Sequence, residues 1–208
     1  MAGLRAKQKA NRTERILVAA TDLFRTQGYD AVRIEDIAEA AEVSVGTFYN
    51  YFQTKGDVLV AIVSLEVEEV LLAGSSVVAN PPASVAVALD RLVAVYFDHS
   101  VIYLSKEMWR TAMALSILNP DTPFSRHYSD LDGLLRDQVC GLITALQRFG
   151  TARLDVDGPA LGRFLFNNLN MMFIEYVKSD MPLAALKDAV ARQNAPVAQL
   201  ITAGQSGG

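Results

Sequence analysis

A single cysteine, one tryptophan and two histidines leave little from which to build covalent or metal chemistry. One thiol, Cys140, cannot close an internal disulfide, which excludes a disulfide-stapled scaffold and fits a reducing compartment. His99, His127 and Cys140 lie far apart in the chain with no ligand-like spacing, so neither a metal nor a cofactor is expected. A nucleophile elbow, a phosphate loop and a dinucleotide fingerprint are all missing, and nothing supports catalysis. The carboxylates Glu66, Glu68, Glu69, Asp130 and Asp132 read as solvated helix faces. Long apolar runs are scarce as well. The longest stretch without charge, Val70 to Leu89, is interrupted by Gly74, Ser75, Ser76 and Asn80-Pro81-Pro82, which argues against a membrane helix. The apolar patch Ile16–Ala20 behind the basic N-terminus is too short for a secretory signal. A soluble, cytoplasmic chain is the expectation.

Charged residues make up only 20% of the 208 residues and hydrophobic ones 51%, too little charge for disorder and enough apolar surface for a sizeable core. The net charge of −4, taken as a whole, argues mildly against a nucleic-acid partner. Its placement argues the other way. The first fifteen residues carry Arg5, Lys7, Lys9, Arg12 and Arg15 against Glu14 alone, and residues 1–60 balance to zero, so the acidity belongs to the remainder. Residues 1–12 read as a basic arm ahead of the first helix, able to track phosphates or enter a minor groove, or else simply to solubilise the chain.

What is present is helical periodicity. Ile16, Ala20, Leu23 and Phe24 define one face of a first helix that Gly28 ends. Short helices follow at about 34–41 and after Ser44, and a longer one from Thr54-Lys55 toward Leu72. Ser44 and Thr54 stand where side-chain oxygens cap helix amides. Beyond Asn80-Pro81-Pro82 the pattern predicts helices at about 84–103, 105–118, 124–149, 158–178 and 183–203, with Pro196 kinking or ending the last. Residues 205–208 read as a disordered tail. The expected fold is all-α: an N-terminal three-helix head over residues 1–60 and a larger helical bundle over 61–204.

The segment IEDIAEAAEVSVGTFYNYF, Ile34–Phe52, is the informative one. Ile37, Ala38 and Ala41 pack a first short helix inward, Val43 plugs the turn, and Ser44 caps a second helix with Val45, Gly46, Thr47, Tyr49 and Asn50. That is a helix-turn-helix, whose second helix enters a DNA major groove. Small residues let its backbone approach base edges; Thr47 and Asn50 can bond bases, and Tyr49 and Tyr51 can offer hydroxyls to phosphates. The same pattern would also suit two short helices that merely complete a bundle.

The wider context bears on that choice. The runs TERILVAATDLFRTQGYD (13–30) and DIAEAAEVSVGTFYNYFQTKGDVL (36–59) resemble the DNA-binding domain of TetR/AcrR-type bacterial transcriptional regulators. The resemblance covers about the first 60 residues and implies that Ser44, Thr47, Tyr49, Asn50 and Tyr51 belong to the recognition-helix region. It also implies that Lys55 contacts a phosphate at the start of the fourth helix, where a helix N-terminus already favours anions. Two residues depart from the family pattern. Arg33 replaces a capping threonine, a loss of about 1 kcal/mol unless its guanidinium binds phosphate instead. Glu42 replaces a turn glycine and carries about 1–2 kcal/mol of strain if the backbone there is left-handed.

The helix at 158–178 is apolar around most of its circumference. Leu161, Leu165, Leu169, Met172, Phe173 and Tyr176 form one stripe, and Phe164, Met171 and Ile174 occupy another side, which calls for burial on more than one face. The resemblance implies a homodimer through the last two helices, about 158–178 and 183–203, and hence a roughly palindromic operator. Tyr96, His99, Tyr103, Met108, Trp109, Met113, Asn167, Asn170, Met171 and Phe173 are candidates to line an adaptable effector pocket, each with plain core packing as its alternative. Arg110 could anchor an anionic head group, His127 reads as a surface-loop residue, and Cys140 as a small buried hydrophobe. The expected function is a ligand-responsive, DNA-binding repressor released by a small apolar or aromatic molecule, with no membrane partner. The alternative is an all-α small-molecule carrier that does not bind DNA.

Overall fold

A computed structural model describes the backbone of residues 2–204 and the side chains of residues 6–204; the tail expected to be disordered, 205–208, lies outside them. The described residues form nine helices: α1 (Ala2–Gln27), α2 (Ile34–Ala40), α3 (Val45–Tyr49), α4 (Lys55–Ala79), α5 (Val85–His99), α6 (Lys106–Leu118), α7 (Pro123–Arg148), α8 (Gly158–Lys178) and α9 (Leu183–Ile201). The only extended pairing among them is a bridge between Ala152 and Thr202, so the chain is all-α as expected. No helix of the described residues is long and apolar enough to cross a membrane.

Several boundaries differ from the sequence expectation. Residues 2–12, read as an arm, are instead the first turns of α1. Ala6, Lys7, Gln8, Lys9 and Ala10 are good helix formers and outweigh Gly3 and Asn11. α4 continues through Gly74-Ser75-Ser76 to Ala79. The Ser75 and Ser76 hydroxyls donate to the Leu72 and Ala73 carbonyls at 2.6 and 3.0 Å, which satisfies them within the helix. α9 passes through Pro196 without ending there. Gly28 ends α1 as expected, with a φ of +85° that other residues rarely adopt.

The chain forms two compact units that do not coincide with a 1–60 and 61–204 division. Met1–Leu65 with Tyr103–Ser129 makes the first, and Glu66–Ile102 with Asp130–Gly208 the second. The helix-turn-helix region is therefore packed with α6 and the start of α7. Glu107 Oε1 accepts from the Tyr29 amide at 3.4 Å, Phe124 lies against Gly56, and the Ser64 hydroxyl lies 2.8 Å from His127 Nε2. His127 is thus on a helix, not in a loop. The core of this unit is built from Ile16, Ala20 and Phe24 of α1, Ile37 and Ala38 of α2, Phe48 of α3, Leu59 and Ile62 of α4, and Met108 of α6, all at most 1% exposed. Burying each large side chain contributes roughly 1.5–3 kcal/mol.

In the second unit α9 packs against α5 and α8. Tyr96, 6% exposed, places its hydroxyl 2.9 Å from Gln138 Oε1 and 3.1 Å from the Leu135 carbonyl, and Gln138 in turn donates to the Leu71 carbonyl at 2.8 Å. That relay joins α4, α5 and α7 through a satisfied polar interior. α7 and α8 lie close at Gly162, where a Cβ would stand 2.5 Å from Cys140 Cα. Phe97, Phe173 and Tyr176 stack in a row with centroids 6.0 and 5.9 Å apart, and Lys187 pairs with Asp98.

Candidate nucleic-acid interface and effector region

α3 has only five residues, too short to hold together alone, so its position is set by its ends and one anchor. Ser44 Oγ accepts from the Thr47 amide at 3.0 Å and meets the Thr47 hydroxyl at 2.8 Å. Phe48 is fully buried and contacts the rings of Tyr49 and Phe52 at 5.8 and 5.9 Å. With Phe48 inward, the opposite side of the helix is left outward: Ser44, Gly46, Tyr49 and Asn50 are exposed, and Val45, Thr47 and Tyr51 half-buried. A Cβ on Gly46 would meet nothing nearer than Ser44 Oγ at 4.0 Å, so the backbone there is bare to an incoming surface.

The two departures noted in the sequence are resolved by partners. Glu42 does adopt a left-handed backbone, at φ 50°, and Arg15 Nη2 donates to both its carbonyl and its Oε2, at 3.1 and 2.9 Å. At Arg33 no side chain caps the helix amides, but Asp36 Oδ2 accepts from the Arg33 amide at 2.8 Å, the reciprocal half of a capping box. The Arg33 guanidinium is turned onto the same carboxylate through Nε and Nη2, at 3.3 and 3.0 Å, rather than standing free for phosphate. The guanidinium bond holds the Asp36 carboxyl below its ordinary range.

Lys55, which the resemblance places against a phosphate, is engaged inside the fold in the chain without DNA. Its Nζ donates to the carbonyls of Tyr29, Asp30 and Val32 at 2.6, 3.3 and 2.9 Å and sits 4.4 Å from the centre of the Tyr29 ring. An ammonium has three donors, and these carbonyls take all of them. Lys55 thereby closes the α1–α2 connection against the start of α4. Burial first, then Asp30 and Asp57, pushes the Tyr29 hydroxyl up to about 12, so it stays protonated beside the ammonium. Thr54 caps α4 as expected: its Oγ1 accepts from the Asp57 amide at 3.1 Å while Asp57 Oδ2 accepts from the Thr54 amide at 2.8 Å.

A further set of residues at this face comes together only in the fold. Gln8, Lys9 and Arg12 of α1 line a cleft of about 320 Å³ together with Thr47, Asn50 and Tyr51. The sequence carries one signal for it: continuing the helical phase of α1 back beyond Ile16, the i, i+4 spacing of Gln8 and Arg12 places them on one face.

The effector candidates do not form one group. Tyr103, Met108, Trp109 and Met113 belong to the first unit, and Tyr96, His99, Asn167, Asn170, Met171 and Phe173 to the second. Met108, Trp109, Tyr96 and Phe173 are buried core side chains. Asn167 and Met171 face outward, because α8 turns its other stripe toward α9. Arg110 is also exposed. His99 is half-buried with a buried Nδ1 that has no hydrogen-bond partner. A void of about 10 Å³ in the second unit is lined by Leu92, Tyr96, Leu165, Leu169 and Asn194 among others, and of the ten candidates only Tyr96 reaches it. Cys140 is half-buried, with its Sγ 3.4 Å from the Pro159 carbonyl, and burial pushes its thiol up. Two of the carboxylates read as solvated faces are not: Glu66 is 1% exposed, and burial, partly offset by Arg136, pushes the Asp132 carboxyl up to about 6. Among the described residues no group of His, Cys, Asp and Glu could hold a metal ion.

A capped, outward-facing short helix on a helical head, followed by a larger set of long helices, defines the class: an all-α helix-turn-helix protein. Residues 16–62 match the family model described as bacterial regulatory proteins, tetR family. Over 79 residues the chain is 38% identical to the HTH-type transcriptional repressor KstR of Rhodococcus jostii, a match covering 38% of this chain and 35% of that protein. The chain thus matches about a third of the length of this relative. Solved structures share the fold over nearly the whole chain. A TetR transcription regulator from Haloarcula marismortui superposes with a TM-score of 0.74 at 19% identity, covering 93% of this chain and 99% of that one. Thermus thermophilus FadR, a TetR-family transcriptional repressor in complex with lauroyl-CoA, gives 0.64 at 24% identity, covering 94% and 99%.

Proposed function

We propose that this protein is a homodimeric, ligand-responsive transcriptional regulator that reads a roughly palindromic operator and acts as a repressor. The observation that carries the reading is the outward edge of α3: Thr47, Tyr49, Asn50 and Tyr51 around a bare Gly46, fixed from behind by the buried Phe48. Thr47 and Asn50 bond base edges, while Tyr49 and Tyr51 bond phosphates and set the register. Ser44 holds the helix in place for them, and Lys55 holds the loop behind it. Dimerisation uses α8 and α9. Phe164, Met171 and Leu200 are 61%, 56% and 71% exposed on these helices in the single chain, apolar surface that a second copy would cover.

The effector is a small apolar or aromatic molecule. The lauroyl chain of the lauroyl-CoA bound by the Thermus thermophilus neighbour is an apolar group held by this fold. The effector releases DNA by favouring a state in which the two reading helices are wrongly spaced, and it can shift that balance only by its difference in affinity between the states. The test is selection of binding sequences from a random duplex pool by the full chain at low salt, followed by gel shift. Enrichment of an inverted repeat that Asn50→Ala no longer binds supports the reading. Enrichment of no sequence at all overturns it.

A further inference from the structure

The cleft between α1 and α3 differs in charge from its neighbour in the same unit. It is lined by Gln8, Lys9, Arg12, Thr47, Asn50 and Tyr51: two cations, four neutral hydrogen-bonding side chains and no carboxylate. The adjacent cleft of about 530 Å³, between α1 and α2, carries Glu14, Asp22 and Glu42 against Arg15 alone. Elsewhere in this unit Glu42 pairs with Arg15 and Asp36 with Arg33. An anion is therefore favoured in one cleft and disfavoured in the other.

We infer that this cleft seats the DNA backbone, with Lys9 and Arg12 on phosphodiester oxygens beside the bases that α3 meets. The inference rests on the DNA-binding reading proposed above and adds to it a second binding element, the N-terminal turns of α1. Three observations converge on the occupant. Thr47 and Asn50 line the cleft and also lie on the outward edge of α3, so the cleft continues the candidate reading surface. Lys9 and Arg12 are exposed and sit on a regular helix, which fixes their spacing in a way a flexible arm would not. The lining can donate to phosphate oxygens from both walls: Lys9, Arg12 and Gln8 from α1, and the Asn50 amide and Tyr51 hydroxyl from the other side. Contacts of this kind position a protein on DNA and carry no sequence information.

The experiment compares the full-length chain with Lys9→Gln/Arg12→Gln, using as probe a duplex that the wild-type chain enriches from a random pool. Glutamine keeps the helix and removes the charge, and circular dichroism checks that the fold is intact. Affinity is measured across a salt series, with Arg91→Gln in the second unit as a control for long-range charge. The slope of log affinity against log salt falls by about 0.9 for each phosphate that the protein ceases to neutralise. The expected result is a slope reduced by about one to two per protomer, with the enriched sequence unchanged. A slope equal to that of Arg91→Gln overturns the inference while leaving the DNA-binding reading intact. A changed base preference also overturns it, because the side chains would then be reading bases. If the wild-type chain enriches no sequence, the broader reading fails and this inference falls with it.

Discussion

Arg15 donates through Nη2 to both the backbone carbonyl and the carboxylate of Glu42, at 3.1 and 2.9 Å, and Glu42 is the only non-glycine with positive φ among the described residues. The clamp tethers α1 to the turn of the helix-turn-helix at the point where that turn is strained. Glu42→Gly should relieve about 1 kcal/mol of strain, against an exposed ion pair worth at most about as much. The expected outcome is a small gain in stability for Glu42→Gly alone and a larger gain in an Arg15→Ala background. Urea unfolding of the four proteins of the cycle measures this, and destabilisation by Glu42→Gly in both backgrounds would refute it.

Lys55 gives a sharper contrast, because positioning and phosphate contact leave different signatures. Lys55→Met strands the carbonyls of Tyr29, Asp30 and Val32, at a cost of about 1–3 kcal/mol in stability. DNA affinity should fall with an unchanged salt slope. A slope reduced by about 0.9 per protomer, with unchanged thermal stability, would restore the phosphate role.

Two glycines should respond to alanine in opposite ways. At Gly162 the new Cβ would meet Cys140 Cα at 2.5 Å, and backbone cannot yield as a side chain can. Gly162→Ala should destabilise the chain by about 1–3 kcal/mol. Gly46 has open space, and alanine there should leave stability unchanged or raise it by up to about 1 kcal/mol. Gly46→Ala should nevertheless weaken DNA binding, because its Cβ enters the surface that meets the duplex. Thermal unfolding and gel shift together test the pair.

Asp132 sets a pH dependence. Burial raises its carboxyl to about 6 in the folded chain from about 4 when unfolded. The folded state then binds more protons than the unfolded one between those values, so the stability linked to Asp132 is greatest below about pH 4 and is lost as pH rises to about 6. Asp132→Asn should therefore stabilise the protein at pH 7, by roughly 2–3 kcal/mol, with the gain shrinking to nothing near pH 4. Denaturation at both pH values decides it, and an equal effect at the two would exclude the linkage.

The exposed Phe164 and Met171 of α8 carry the dimer proposal. Phe164→Glu/Met171→Glu should yield a folded monomer by sedimentation, and its affinity for an inverted repeat should fall at least tenfold. A double variant that remains dimeric would place the interface elsewhere.

Most of the architecture follows from features local to the chain. The 3.6-residue spacing of Ile16, Ala20 and Phe24, the caps at Ser44 and Thr54, and the stop at Gly28 each involve atoms within a turn or two of one another. Local chemistry therefore specifies them before any packing. The outward edge of α3 was legible for the same reason, since burying Phe48 leaves Tyr49 and Asn50 outside. Alternation between core and surface along one helix is a property of sequence alone.

Which partner each charged group takes was not legible, because a partner is chosen by whichever element folding brings within hydrogen-bond reach. Lys55 lies more than twenty residues from the three carbonyls it binds, Arg15 twenty-seven from Glu42, and Tyr29 seventy-eight from Glu107. The same limit applies to Lys9 and Arg12. The sequence supplied their charge, but only the packing of α1 beside α3 set that charge along a cleft shared with Thr47 and Asn50. Sequence by itself determined the helices, the turn and the faces that must be buried. Tertiary structure decided where the ammonium and guanidinium groups spend their donors, because a charge is strongest where desolvation and distance allow it, and neither is a local quantity.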